Sequence, residues 1–549
     1  MFLFLLLSKY TTMPIRMTDD PQGQDNYDYN DDSGGGRSNF PGGGGGGGLL
    51  SLLPLLLGLF RGKGIIWLIV IGLAIYFLGG KGGCNLGGLL GDENSGVQQL
   101  FSKSGYGYSA KEFDKASIYE GLEDNNTKNP LPEAVSLLRF APRRGDQGQQ
   151  GSCVAWSSAY AAQTILTAAA TGKDPNSITF SPSYLYNQIR LSQDCQGSYI
   201  QRAMEAIKRN GGVPLSQYPY NDQDCSRSPS GADLAAGRQN TIHGFTRLTE
   251  GDNLNPISVR AVKEHLAKDA PVVIGMLVGQ SFMTDMMGRE LWQPQGLDKA
   301  QVGLGGHAMC VIGYDDRKFG GAFQIMNSWT PQWGKDGIAW VRYGDFKNYV
   351  REAYGIDPLP KSAAVANLPL ECSVGLINNA TKQYIRLKST GNNTFQTVTP
   401  IKVGTRFKME VKNSTECYVY IFGQETDGSS YVLFPYLKPG QTVSKHSPYC
   451  GITGYRVFPK SESLEADNIG NKDYMAVVTS KKELNYNQLN SAISSSTQPT
   501  YSGKVNEALK TILVSTATYS ATSDGRINFK VNAAPNQAVA TIVAFDKAP

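Results

Sequence analysis

Histidine is scarce: the chain of 549 residues holds four, His243, His265, His307 and His446. Any imidazole chemistry therefore has few carriers. Charge is also thin, at 18% of residues, and nearly balanced, with 52 Lys plus Arg against 47 Asp plus Glu. A net charge of +5 over this length argues against nucleic acid as a partner. The eight cysteines include no CxxC pair, which excludes a zinc ribbon and a disulfide-dense miniature fold. His446 and Cys450 have no second pair of ligands near them, so no metal site and no cofactor is expected. Length alone allows about three to four domains.

Glycine is abundant, with 62 positions, and is concentrated near the start. Residues 17–48 alternate Asp19, Asp20, Asp25, Asp28, Asp31 and Asp32 with polar residues and end in an unbroken run from Gly42 to Gly48. Such a composition cannot bury enough apolar surface to offset chain entropy. Residues 1–63 are therefore expected to be a disordered tail holding one short apolar block, Leu49 to Phe60, broken by Pro54. Residues 64–80 carry no charge between Lys63 and Lys81, the lower limit of a membrane-spanning helix. Trp67 and Tyr76 stand near its ends, as interfacial aromatics do. The expectation is a single-pass membrane helix over 64–80, followed by a linker over 81–130. Arg61 and Lys63 bias the N-terminus to the cytoplasm and the bulk of the chain outside.

From Leu131 the composition is that of an ordinary folded domain. The stretch Gly145 to Ser152 is a polar glycine loop, followed by Cys153, Val154, Ala155, Trp156 and an Ala-rich run to about Ala170 that reads as a buried helix. Ser152 stands at the N-cap position, which places Cys153 in the first turn. The helix dipole and free backbone N–H groups there bias a thiol toward thiolate, the nucleophilic form. A nucleophile needs a proton acceptor. His307 opens a β-branched run, Gly305 to Tyr314, and Gln324 to Met326 gives a second strand ending at Asn327. A turn at Gly320 and Gly321 would pair the two as a hairpin and bring His307 to Asn327. The amide could then fix the imidazole's tautomer and direction. Gln147 offers a side-chain NH₂ beside the backbone N–H of Cys153, together an oxyanion hole.

The order Gln147, Cys153, His307, Asn327, with Gln-Gly-x-x-Gly-Ser-Cys, Gly-Gly-His-Ala, Asn-Ser-Trp and then Trp333-Gly334, resembles the papain family of cysteine peptidases. Ser181 to Tyr186, Gly211 to Pro214 and Tyr218-Pro219-Tyr220 fit the same family. The resemblance implies an α+β fold over 131–360 with a helical lobe carrying Cys153 and a β-rich lobe carrying His307 and Asn327. It further implies a cleft for a peptide or protein substrate and attack by Cys153 through an acyl-enzyme. Trp329 would cover the His307–Asn327 contact, and Gly197, Ser198 and Gly306 would contact substrate. The family has a second glycine where this chain has Ser198, and a cysteine where it has Gln150. Cys195 and Cys225 remain as a disulfide pair. Between the apolar segment and Leu131 no inhibitory propeptide is recognisable. Two other readings are a catalytically silent binding module of the same fold and a cell-wall peptide amidase of Cys–His type. The complete residue set argues against the first, and the Asn-Ser-Trp motif and Gln–Cys spacing against the second.

After Pro360 the pattern changes to short alternating runs, such as Phe407 to Val411 and Tyr418 to Phe422, separated by turn clusters such as Asp427-Gly428-Ser429. This is the pattern of an all-β, sandwich-like accessory domain over 366–549, with helices expected near 481–494 and 505–513. It resembles a bacterial domain of unknown function appended to peptidases and kinases, and no ligand for it can be read. His243, His265 and Cys310 have no chemical context and are expected to be structural.

Overall fold

The structure, a computed structural model, describes residues 15–19 as backbone and residues 108–360, 368–438 and 440–549 in full. The apolar segment 64–80 lies outside them. Among the described residues no helix is long and apolar enough to cross a membrane. The single-pass membrane localisation expected above, with its extracytoplasmic peptidase domain, is therefore corrected: the described residues contain no spanning helix to support it. Within the stretch expected to be a disordered tail, Ile15–Asp19 forms a strand, paired antiparallel with Glu462–Ala466.

The first folded region has two parts. Its helical part is built on a continuous helical rod that begins at Cys153–Ala155, widens to π-helical spacing through Trp156–Gln163 and closes at Thr164–Thr171. The rod is Ala-rich because it is buried on nearly all sides, and only small side chains allow neighbours so close. Gly172, in the left-handed region at φ 70°, ends it. Pro182–Ile189 and the amphipathic helix Ile200–Asn210 pack beside it.

The β-rich part is an antiparallel sheet in the order Phe245–Arg247, Val350–Ile356, Val272–Val278, Gly305–Asp315, Ala322–Met326, Ile338–Arg342. The hairpin expected around Gly320 and Gly321 forms, with Cys310 opposite Met326 and a bulge between Val311 and Gly313. Both faces of Val272–Val278 and Gly305–Asp315 are covered, which is why these strands are apolar runs rather than alternating ones.

The C-terminal region stacks two mixed-length sheets over a core that includes Phe407, Met409, Val419, Phe434, Val477 and Phe545. A second apolar cluster lies between the outer face of one sheet and the helices Tyr486–Ser495 and Tyr501–Ala508. The second helix starts earlier than expected because Thr500 caps it through Gly503 N–H. The region is thus β-rich with one helical layer.

Residues 108–130 depart most from expectation. They are no loose linker. Phe113, Ile118, Glu120 and Leu122 are buried. Ile118 lies between the two folded regions, its N–H donating to Lys445 O at 2.7 Å and its carbonyl accepting from Ser447 N at 3.0 Å. On the other side Ser117 O accepts from Arg247 N at 2.8 Å. Arg456, fully buried, donates to Glu120 O at 2.8 Å and to Asn413 Oδ1 at 2.7 Å.

Candidate active site

Asn327 follows the strand Ala322–Met326, and its Oδ1 accepts the backbone N–H of Ser328 at 2.8 Å. That bond identifies the oxygen of the amide. The same Oδ1 lies 2.7 Å from His307 Nε2, so Nε2 carries the proton and donates. His307 Nδ1 is then the basic nitrogen, and it is buried without a hydrogen-bond partner. Trp329 stacks on the imidazole at 4.0 Å and 22° from parallel, with Phe282 and Trp333 edge-on behind it.

Cys153 begins the helical rod as expected, yet it is fully buried. Burial pushes its thiol up to about 12, against the backbone N–H groups of Ala308, Val154 and Cys153 itself, which favour the anion. The influence of the Ala308 N–H, one residue after His307, goes with the packing of Cys153–Ala155 against the strand Gly305–Asp315, where the two parts of the domain meet. Burial likewise holds His307 down to about 4, with the Asn327 bond pulling the other way. Against the expected bias toward thiolate, desolvation outweighs the helix terminus, and burial favours the neutral form of each group taken alone.

Gln147 is anchored at both ends of its amide. Its Oε1 accepts from Ser328 Oγ at 2.7 Å and its Nε2 donates to Gln150 O at 3.1 Å. The backbone N–H of Gln147 donates to Ser328 O at 2.9 Å. One Nε2 hydrogen remains for an incoming group. Ser328 therefore ties Gln147 to the Asn327–Trp329 strand end, a role that no spacing argument assigned to it.

Gly197 precedes Ser198, which is fully buried with its hydroxyl unpartnered. Gly306 lies in the sheet opposite Leu277. Cys195 and Cys225 are disulfide-bonded. Among the described residues no group of three or more His, Cys, Asp or Glu side chains could hold a metal ion. His265 is buried beside Tyr119, and Cys310 lies in the core.

Residues 141–357 match the model of the papain family cysteine proteases. The chain carries a papain-family cysteine protease domain. Residues 401–449 match a domain of unknown function, DUF4384. The papain-family region is 29% identical over 195 residues to cathepsin K of Mus musculus, covering 35% of this chain and 54% of that protein. Cathepsin K of Gallus gallus is 29% identical over 212 residues, or 38% and 57%. The chain thus spans a little over half the length of these relatives. Among solved structures, xylellain, a cysteine protease from Xylella fastidiosa, aligns at 24% identity with a TM-score of 0.40, covering 47% of this chain and 97% of that one.

Proposed function

We propose that the papain-family domain hydrolyses peptide bonds of a peptide or protein substrate, with Cys153 as nucleophile, His307 as general base and acid, and Asn327 as the group that orients the imidazole. The observation that carries this reading is the 2.7 Å bond between His307 Nε2 and Asn327 Oδ1, which leaves Nδ1 unpartnered and basic, available to take the thiol's proton. A proton passing from Cys153 to Nδ1 creates two opposite charges side by side, whose attraction offsets the desolvation that each would suffer alone. The sulfur attacks the scissile carbonyl, and the oxyanion meets the backbone N–H of Cys153 and the free hydrogen on Gln147 Nε2. His307 returns its proton to the leaving amine. Water, deprotonated by the same nitrogen, then releases the acyl group.

The test is covalent labelling of the intact chain with a peptidyl epoxide, with the modified residue located by mass spectrometry. Modification at Cys153, with parallel loss of peptide cleavage and none of either in Cys153→Ala, is the expected result. Cleavage retained in Cys153→Ala would overturn the mechanism. A folded, unlabelled and inactive protein would instead favour the silent binding module, a reading for which the complete burial of Cys153 and His307 supplies some support.

A further inference from the structure

Ser152 occupies the cap position of the Cys153 helix but caps nothing: its side chain makes no bond to the helix N–H groups. Its hydroxyl lies instead 2.6 Å from the phenol oxygen of Tyr220. The same phenol donates to Gln147 O at 2.7 Å. A phenol has a single proton, so with Gln147 O as its acceptor, Tyr220 must receive the hydrogen of Ser152. Burial pushes the phenol up to about 12, against the bond from Ser152, so it stays protonated through the neutral range. Trp156 holds the ring edge-on at 4.9 Å and 77°.

The neighbouring contacts fasten the same two segments together. Gln150 Nε2 donates to Asn221 O at 3.2 Å, and Gly151 N–H donates to Cys195 O at 3.2 Å. Cys195 is bonded in turn to Cys225, just past Tyr220. The loop fastened in this way has Gln147 at one end and Cys153 at the other, the two proposed oxyanion donors. Between them lie Gly148, at φ 60°, and Gly151, which leave the loop little stiffness of its own. An oxyanion hole stabilises a transition state only when its donors are already spaced for the tetrahedral oxygen. We infer that Tyr220 is a positioning residue for this hole, its hydroxyl bridging Gln147 and Ser152 so that the Gln147 amide and the Cys153 N–H keep a fixed separation. The inference rests on the peptidase reading above.

The experiment compares the full chain with Tyr220→Phe and Ser152→Ala in three assays. The first is steady-state hydrolysis of a peptide amide. The second is the inhibition constant of a peptide aldehyde, whose carbonyl carbon bonds to Cys153 Sγ while the thiol proton ends on the new hydroxyl, placing that oxygen in the hole. The third is alkylation of Cys153 by iodoacetamide, which needs no hole. Tyr220→Phe is expected to lower kcat roughly tenfold and weaken the aldehyde roughly tenfold, with KM and alkylation within about twofold. Ser152→Ala should move the same quantities less. Unchanged kcat and aldehyde affinity in both variants of an active enzyme would overturn the inference. Equal losses in all three assays, tracking a lower melting temperature, would also overturn it, because the bond would then be merely structural. An unmodified chain that is alkylated at Cys153 but cleaves nothing would strike at the peptidase reading instead.

Discussion

The indole of Trp329 lies flat over the imidazole of His307, centroids 4.0 Å apart, while Asn327 holds the same ring at its edge through Nε2. One neighbour keeps water away and the other sets direction. The two therefore act on the imidazole's basicity with opposite signs, and their removal should be distinguishable in a pH profile.

Asn327→Ala removes a bond that raises the His307 pKa, so the ring becomes harder to protonate. The acid limb of kcat/KM, expected near pH 4 in the unmodified enzyme, should move to lower pH. Turnover should fall by roughly ten- to a hundredfold with KM little changed, because tautomer and direction are lost rather than binding. Steady-state kinetics from pH 3 to 8 checks both parts.

Trp329→Ala should move the same limb upward. Desolvation is the larger influence on His307, and opening the pocket to water returns the imidazole toward its ordinary value of 6.5. An unmoved limb would mean that the ring stacked on His307 is not what keeps it dry.

His446 should couple the stability of the chain to pH. It lies 3.0 Å from Glu120 and 2.9 Å from Asp252, Lys438 pairs with Asp252, and the Tyr436 ring stands edge-on at 4.7 Å. Burial works against its charge, but the two carboxylates outweigh it and raise the pKa above 6.5. The contribution is therefore complete below the unfolded value and is lost as pH rises through the folded one. His446→Gln leaves Glu120 buried without its cation and should cost about 1–3 kcal/mol, mostly at low pH. Denaturant melts at pH 5.5 and 8.5 give the difference.

The Cys195–Cys225 bond closes a loop with a sequence separation of 30. Replacing both by Ser should lower stability by about 2–4 kcal/mol. Because the same loop carries Tyr220, kcat should fall as well, whereas alkylation of Cys153 should change less. Denaturant unfolding beside steady-state assays on the double variant provides the check.

The His307–Asn327 contact was legible in the sequence. Asn327 sits one residue beyond its strand, and the glycine pair at 320–321 announces the hairpin that carries it to His307. What could not be read was depth. The helix terminus at Cys153 is a local, sequence-visible influence on the thiol, whereas the desolvation that outweighs it comes from residues scattered over the whole fold. Ser152 shows the same limit: its type and position are those of a cap, but a tyrosine far along the chain takes its hydroxyl. The misreading of 108–130 has a related cause. Its mixed polar composition resembles a linker because the segment satisfies its backbone against two partners at once and needs few apolar side chains of its own.

That segment has a consequence for how the protein can be divided. Ile118 is gripped from one side by the strand through Arg247 and from the other by the stretch Lys445–Ser447, and Arg456 reaches across to Glu120. Cutting the chain at the 361–367 connection would leave the papain-family domain with one wall missing: Ile118 and Leu122 would face water, and Glu120 would lose the histidine opposite it. The C-terminal region is therefore better regarded as the far side of the papain-family domain's own casing than as a passenger, and the two halves should share a single melting transition.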